Sequence, residues 1–339
     1  MNLLVTGGAG FIGSNLIRHI IALPEIVTLV NLDCLTYAGH LENLDGIHGI
    51  HPRYCFEQVD LRDQAEVLRV IRQHDITHVM HLAAESHVDR SINSPGDFIT
   101  TNVNGTFHLL EACRAHWQTT NSEAPTANRF LHVSTDEVFG SLGPHDPAFS
   151  EATPYAPNSP YSASKAASDM LVRSYHHTYG LPAIITRCSN NYGPRQHPEK
   201  FIPVIIQSVI QRRSIPVYGD GLNVRDWLHV SDHCAALWTV LLSGIAGESY
   251  NIGGANEQAN LHLVQRLCDL IDELQPALGG NSRSLITMVT DRLGHDRRYA
   301  IDNTKIVTAL SWQPAQTFAS GLRDTVEWYF AAFRRADLV

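Results

Sequence analysis

Short apolar runs recur through the first half of the chain, and each gives way abruptly to a glycine, an acid or a hydroxyl. Asn2 to Thr6 reads as a buried strand and is followed by Gly7 to Gly13 and a helical pattern to about Ala22. A second strand, Ile26 to Leu32, ends in Asp33; a third strand-like run precedes Val59, Asp60 and Leu61; a fourth, Thr77 to Leu82, runs into Ala83 and Ala84. Phe130 to Val133 leads to Ser134 and Thr135, and helix-period stretches cover Asp97 to His116 and Tyr161 to Tyr179. Strand and helix in repeated alternation predict an α/β fold, a Rossmann-like doubly wound parallel sheet.

After Arg187 the pattern changes, with Pro and Gly frequent around Gly193, Pro194, Pro216 and Gly221. A helix from Val230 to Ser243, capped by Ser231 or Asp232, is expected to return to the sheet, and further helices are expected near Leu261 to Gln275 and Phe318 to Phe330. The expected division is a dinucleotide-binding unit over 1–189, with 222–245 returning to it, and a smaller interleaved substrate-binding unit over 190–221 and 246–339.

Composition narrows the function classes. The 339 residues are 44% hydrophobic, enough for a sizeable core, and the formal charge is 25 − 34 = −9. No basic run exceeds two residues, which argues against nucleic acid and anionic membranes as partners. No basic leader or long apolar span is apparent, so a cytoplasmic protein is expected. The six cysteines are scattered without a C-x-x-C pair, and the nineteen histidines, including His74, His78 and His81, form no zinc motif. No metal site is expected.

The candidate chemistry lies where strands end and helices begin. Gly7, Gly10 and Gly13 form G-x-x-G-x-x-G around Phe11 and Ile12, between a strand and a helix whose N-terminal N–H groups suit a pyrophosphate. Asp33, twenty residues beyond Gly13, can accept from ribose hydroxyls and would repel a 2′-phosphate, so NAD is expected rather than NADP. Asp60 and Leu61 are expected near the adenine, while Leu82, Ala83 and Ala84 offer small backbone against which a flat cofactor can lie. Glu85 is either a substrate contact or a loop carboxylate. Tyr161 and Lys165 stand one helical turn apart, and a nearby cation is expected to lower the phenol's pKa and make Tyr161 a general base. Thr135 is followed by two adjacent acids, Asp136 and Glu137. The Asp97–His116 and Tyr161–Tyr179 stretches are candidate faces for a dimer.

These motifs resemble the extended short-chain dehydrogenase/reductases. Within them, residues 81–92 (HLAAESHVDRSI), 134–138 (STDEV), 187–194 (RCSNNYGP), 223–229 (NVRDWLH) and 291–302 (DRLGHDRRYAID) are similar to the dTDP-glucose 4,6-dehydratases over nearly the whole chain. The resemblance implies that Tyr161, poised by Lys165, takes the O4 proton as C4 is oxidised by NAD, with Thr135 near O4. It further implies that Glu137 removes the C5 proton, Asp136 protonates the departing C6 hydroxyl, and hydride returns to C6. Close carboxylates resist simultaneous ionisation, which suits an acid beside a base. Implied cofactor contacts include Thr101 and Asn191; implied substrate contacts are Glu85, Ser86, Asn190, Lys200, Pro216, Tyr218, Arg225, Asn260, Arg292 and His295. A homodimer acting on dTDP-glucose is expected. Phe139 stands where the superfamily usually has Tyr, and Leu293 interrupts a segment that often carries Pro. Rival readings are a UDP-glucose 4,6-dehydratase, a 4-epimerase, a UDP-glucuronate decarboxylase and an NAD-binding scaffold; the adjacent acids favour elimination, which neither epimerisation nor decarboxylation requires.

Overall fold

The early apolar runs become adjacent parallel strands in the computed structural model, which describes residues 1–120, 128–291 and 294–334. Seven strands form the central sheet: β1 (Asn2–Thr6), β2 (Thr28–Leu32), β3 (Tyr54–Glu57), β4 (His78–His81), β5 (Arg129–Thr135), β6 (Ala183–Cys188) and, from later in the chain, β10 (Ser249–Ile252). Their spatial order is β3-β2-β1-β4-β5-β6-β10, and every pair is parallel. The order reverses between β1 and β4, so a crevice opens at the carboxyl ends of these strands. β10 lies within the span expected to form the second unit, yet it pairs with β6 through Ser249–Ile185 and Ile252–Cys188.

Apolar surface is buried on both faces of this sheet, as parallel strands require. On one face, Leu3, Val5 and Leu131 pack with Leu16, Ile17, Ile20, Leu237 and Leu241 from the helices Phe11–Ile20 and Val230–Ser243. On the other, Leu4, Val30 and Val79 pack with Val67, Ile71, Leu110 and Val172 from Gln64–Gln73, Gly105–Thr120 and Pro160–Tyr179. The helix Val230–Ser243 therefore returns to the sheet. Its cap differs from expectation: His229 accepts from the Ser231 amide, while the Asp232 carboxylate accepts from Ala315 and Gln316 amides.

The smaller lobe contains β7 (Asn190–Tyr192), β8 (Ile215–Tyr218), β9 (Val224–His229), β11 (Glu257–Ala259) and β12 (Ile286–Val289). They make a three-stranded sheet, β11-β9-β7, and a parallel pair, β12-β8. Its core joins Ile202, Ile205, Leu263, Leu267, Val326 and Tyr329 from Phe201–Ile210, Asn260–Leu274 and Phe318–Arg334.

The expected Asp97–His116 helix is divided. A short helix, Pro95–Phe98, passes through a π-helical stretch, Ile99–Asn104, into Gly105–Thr120. Such stretches often lie at functional sites. Here the buried Asn102 side chain accepts from the Glu85 amide at 2.8 Å and donates to Ser164 Oγ at 2.9 Å, fastening the chain beyond β4 to the helix that bears Tyr161.

Candidate active site

The crevice at the switch between β1 and β4 is lined by the glycine-rich loop, the ends of β2, β4 and β5, and the first turns of Pro160–Tyr179. Gly7 has φ +70°, and a Cβ there would stand 2.8 Å from the Ala83 backbone. Glycine thus meets both a left-handed conformation and a close approach to the chain beyond β4. Gly10, Phe11, Ile12 and Gly13 follow along the same wall.

Asp33 ends β2 and is 8% exposed. One carboxylate oxygen accepts from the Ala9 amide and the other from Leu35, each at 2.9 Å, so the acid also secures the glycine-rich loop. Burial raises its pKa, and these backbone donors oppose the rise. Asp60, Leu61, Leu82, Ala83, Ala84, Thr101 and Asn191 all reach the same crevice. The unpartnered buried carbonyl oxygens of Asn190 and Asn191 add acceptors at its wall. Loop, acid and orphaned amides together fit a dinucleotide.

The reactive groups are placed by two elements. β5 passes into the 3₁₀ turn Asp136–Phe139, where Thr135 Oγ1 accepts from the Glu137 amide and its hydroxyl donates to Asp136 Oδ1, both at 3.3 Å. Opposite, Pro160–Tyr179 begins with Pro at its first position and reciprocal Ser159–Ser162 capping, which fixes the turn carrying Tyr161. Thr135, Asp136, Glu137, Tyr161 and Lys165 converge on the crevice.

Asp136 is 2% exposed and its Oδ2 has no hydrogen-bond partner. Burial, then the Glu137 and Asp226 charges, hold its carboxyl well above the ordinary range, against a smaller opposing effect of Arg225. The protonated form is thereby favoured at the position directly before Glu137. Lys165 is buried and donates from Nζ to the Val133 carbonyl at 2.8 Å; burial lowers its pKa to about 8 despite Asp169. Tyr161 departs from expectation: burial, followed by Glu137, Cys188 and Asp136, raises rather than lowers its pKa, while a Thr135 hydrogen bond works the other way. Burial is the leading cause, with the neighbouring carboxylates adding to it.

Glu85, Ser86, Asn190 and Lys200 also line the crevice, with Lys200 Nζ donating to the Ser86 carbonyl at 3.1 Å. Pro216, Tyr218, Arg225, Asn260 and His295 do not. They belong to the smaller lobe, where Arg225 lies 4.3 Å from the Tyr299 ring centroid and His295 Nδ1 is 2.6 Å from Asp291 Oδ1. Arg225 makes its main-chain bonds to Val224 and Asp296 carbonyls, while Asp226 accepts from Gly254 and Asn256 amides. Arg292 and Leu293 lie outside the described residues.

The sequence reading missed Gln196, His197 and Glu199, which line the crevice from the loop after β7; their proximity to Lys200 was the available signal. It also missed a buried group behind Lys165. Asp169 Oδ2 accepts from Tyr155 at 2.9 Å and Arg187 Nε at 3.0 Å, and its other oxygen lies 3.3 Å from His132 Nε2. Phe139, at the place of the usual Tyr, packs 5.2 Å below the Arg187 guanidinium.

The GDP-mannose 4,6 dehydratase family model matches residues 4–325. A dTDP-glucose 4,6-dehydratase of Neisseria gonorrhoeae is 57% identical, covering 97% of this chain and 95% of the relative. The dTDP-glucose 4,6-dehydratase 1 of Escherichia coli K12 is 52% identical, with 100% and 95% covered. Among solved structures, DesIV, a dTDP-glucose 4,6-dehydratase from Streptomyces venezuelae with NAD and TYD bound, superposes with TM-score 0.87 at 44% identity, covering 98% of this chain and 97% of that one. A UDP-glucose 4-epimerase from Thermus thermophilus with NAD gives TM-score 0.84 at 30% identity, covering 98% and 100%. The fold is thus shared with enzymes that do not dehydrate, whereas the high identities run to those that do, and the chain belongs to the dTDP-glucose 4,6-dehydratase family within the extended short-chain dehydrogenase/reductases.

Proposed function

We propose that the chain is an NAD-dependent hydro-lyase that converts dTDP-glucose to dTDP-4-keto-6-deoxyglucose and water. The observation that carries this reading is the buried Asp136 carboxyl directly before Glu137 on one turn, where burial and the neighbouring charges favour its protonated form. An epimerase has no use for that acid, because its chemistry returns to C4 without losing the C6 hydroxyl.

Bound NAD supplies the oxidant at C4 and, once reduced, the reductant at C6. The glycine-rich loop and Asp33 hold its adenosine and phosphates, with Thr101, Asn191, Tyr161 and Lys165 along the rest of its length. Tyr161 takes the O4 proton, helped by Thr135, and the protonated state of Asp136 removes one charge that would oppose the phenolate. The 4-ketone acidifies C5, Glu137 takes that proton, and Asp136 gives its own to the departing C6 hydroxyl, which leaves as water. Glu137 returns a proton to C5 when C6 is reduced, and the proton held by Tyr161 balances the one given up by Asp136. Glu85, Ser86, Asn190 and Lys200 bind the sugar end, and residues of the smaller lobe, including Arg225, receive the nucleotide when the lobes enclose it.

The same reading assigns the dinucleotide to residues 1–189 and 222–245, with 190–221 and 246–339 serving the sugar nucleotide and β10 completing the first unit's sheet. It also takes the protein to be a cytoplasmic homodimer. Exposed Ile99, Phe107, Met170 and Tyr179 support a dimer face formed by the π-helical stretch and the two mutually packed helices Gly105–Thr120 and Pro160–Tyr179. No described helix is long and apolar enough to cross a membrane.

The direct test is incubation of purified protein with dTDP-glucose, UDP-glucose and UDP-glucuronate separately, without added NAD, followed by product mass. Loss of one water, fastest from dTDP-glucose, is expected. Loss of carbon dioxide from UDP-glucuronate, or C4 inversion at unchanged mass, would replace this reading.

A further inference from the structure

At the outer edge of the central sheet, away from the catalytic turn, β3 carries Cys55 and Glu57 two residues apart and therefore on one face of the strand. The helix Gln64–Gln73 runs back beside this edge, and His74 forms its C-terminal cap. His74 Nε2 stands 2.7 Å from Glu57 Oε1 and 4.0 Å from Cys55 Sγ. One donor atom from each residue lies within 4.8 Å of the other two, the one such grouping of His, Cys and acid among the described residues. We propose that Cys55, Glu57 and His74 form a binding site for a thiophilic divalent cation of the zinc class.

The donor set carries the choice of ion. A thiolate, an imidazole and one carboxylate oxygen suit zinc or cobalt and disfavour magnesium and calcium, which take oxygen ligands. Tetrahedral coordination at ordinary zinc distances places neighbouring donors about 3.4–3.6 Å apart, so His74 and Glu57, now at 2.7 Å, would part slightly while the Cys55 thiol, now 4.0 Å from His74, would close on them. Glu57 is already oriented for coordination, since Arg69 Nη2 donates to Oε2 at 2.9 Å and leaves Oε1 facing His74. Glu57 and His74 are 15% and 14% exposed at their side chains, so an ion can enter and a water can take the fourth position. In the ion-pair network of His74, Glu57 and Arg69 the Cys55 thiol makes only a long contact to His74; coordination would employ all three donors fully.

The site has a mechanical consequence. Residues 55–74 run from β3 past Asp60 and Leu61 at the crevice and back along the helix to His74. A cation would fasten both ends of that excursion without touching the catalytic groups.

The test uses the full chain, stripped with a chelator and titrated with cobalt chloride. One cobalt per chain is expected, with a near-ultraviolet thiolate-to-cobalt band that zinc chloride abolishes. Cys55→Ser should lose the band and at least about 100-fold in cobalt affinity, with unchanged circular dichroism. His74→Ala should also weaken the site, while Cys34→Ser, altering the other partly exposed thiol, should keep the band. Absence of the band in the parent protein, or its persistence in Cys55→Ser, overturns the proposal. Zinc should also raise the melting temperature of the parent protein but not of Cys55→Ser, and an equal rise in both would do the same.

Discussion

The Lys165 ammonium donates to the main-chain carbonyl of Val133 at 2.8 Å, linking the second turn of its helix to the strand that ends in Thr135. This bond ties the two elements that carry the reactive groups. It also places a cation in a buried setting, which brings its pKa down to about 8.

With its pKa near 8, Lys165 loses its proton as pH rises through that value, so kcat/KM should fall on the alkaline side. Asp169 is the anion that raises this pKa, and Cys188 acts in the same sense. Asp169→Asn should move the alkaline limb to lower pH and cost roughly 10-fold in kcat/KM at pH 8. An unmoved limb would limit Asp169 to holding Tyr155 and Arg187.

Asp136→Asn should separate oxidation from elimination. Reduced cofactor should accumulate with a 4-keto sugar nucleotide in a single turnover, while release of water slows by about 10²–10⁴-fold. Rapid-quench mass measurement follows both. Equal slowing of the two steps would remove Asp136 from the acid's role.

Gly7→Ala introduces a side chain at φ +70° and 2.8 Å from the Ala83 backbone. Destabilisation of about 1–3 kcal/mol is expected from strain and displaced backbone, together with weaker NAD retention. Urea unfolding and cofactor content after gel filtration report the two effects.

Three histidines, two buried and one half-buried, predict acid lability. His78 and His132 have pKa values lowered to about 4 and His233 to about 3, chiefly by burial. The unfolded chain, with histidines near 6.5, binds more protons between that value and about 4, so stability should fall as pH drops through this window. Each such proton contributes a slope of about 1.4 kcal/mol per pH unit. His233→Leu should flatten the dependence by about one proton; urea midpoints between pH 7.5 and 5 give the slope directly.

The glycine-rich loop, Asp33 and the Tyr161 helix were readable in the sequence because each depends on local spacing between a strand and a helix. Asp136 and Glu137 were visible as adjacent acids, but which one keeps the proton depends on burial and on Asp226, some ninety residues later. The same limit explains Tyr161: its helix partner is four residues away, whereas its ionisation is governed first by burial and then by charges at the end of β5, neither of which the local spacing reveals. His132, Asp169 and Arg187 lie on three elements, and no periodicity joins them. The proximity of Cys55, Glu57 and His74 was hidden for a related reason, since a strand edge and a helix end bring these side chains together across a loop.

The turn Asp136–Phe139 places two carboxyl groups in consecutive positions, with Thr135 bonded to both residues. In the proposed cycle, neighbouring codons therefore encode both groups that expel water. The glycine-rich loop and the sheet are encoded elsewhere in the chain, so the proposed elimination and the redox chemistry draw on separate stretches of sequence.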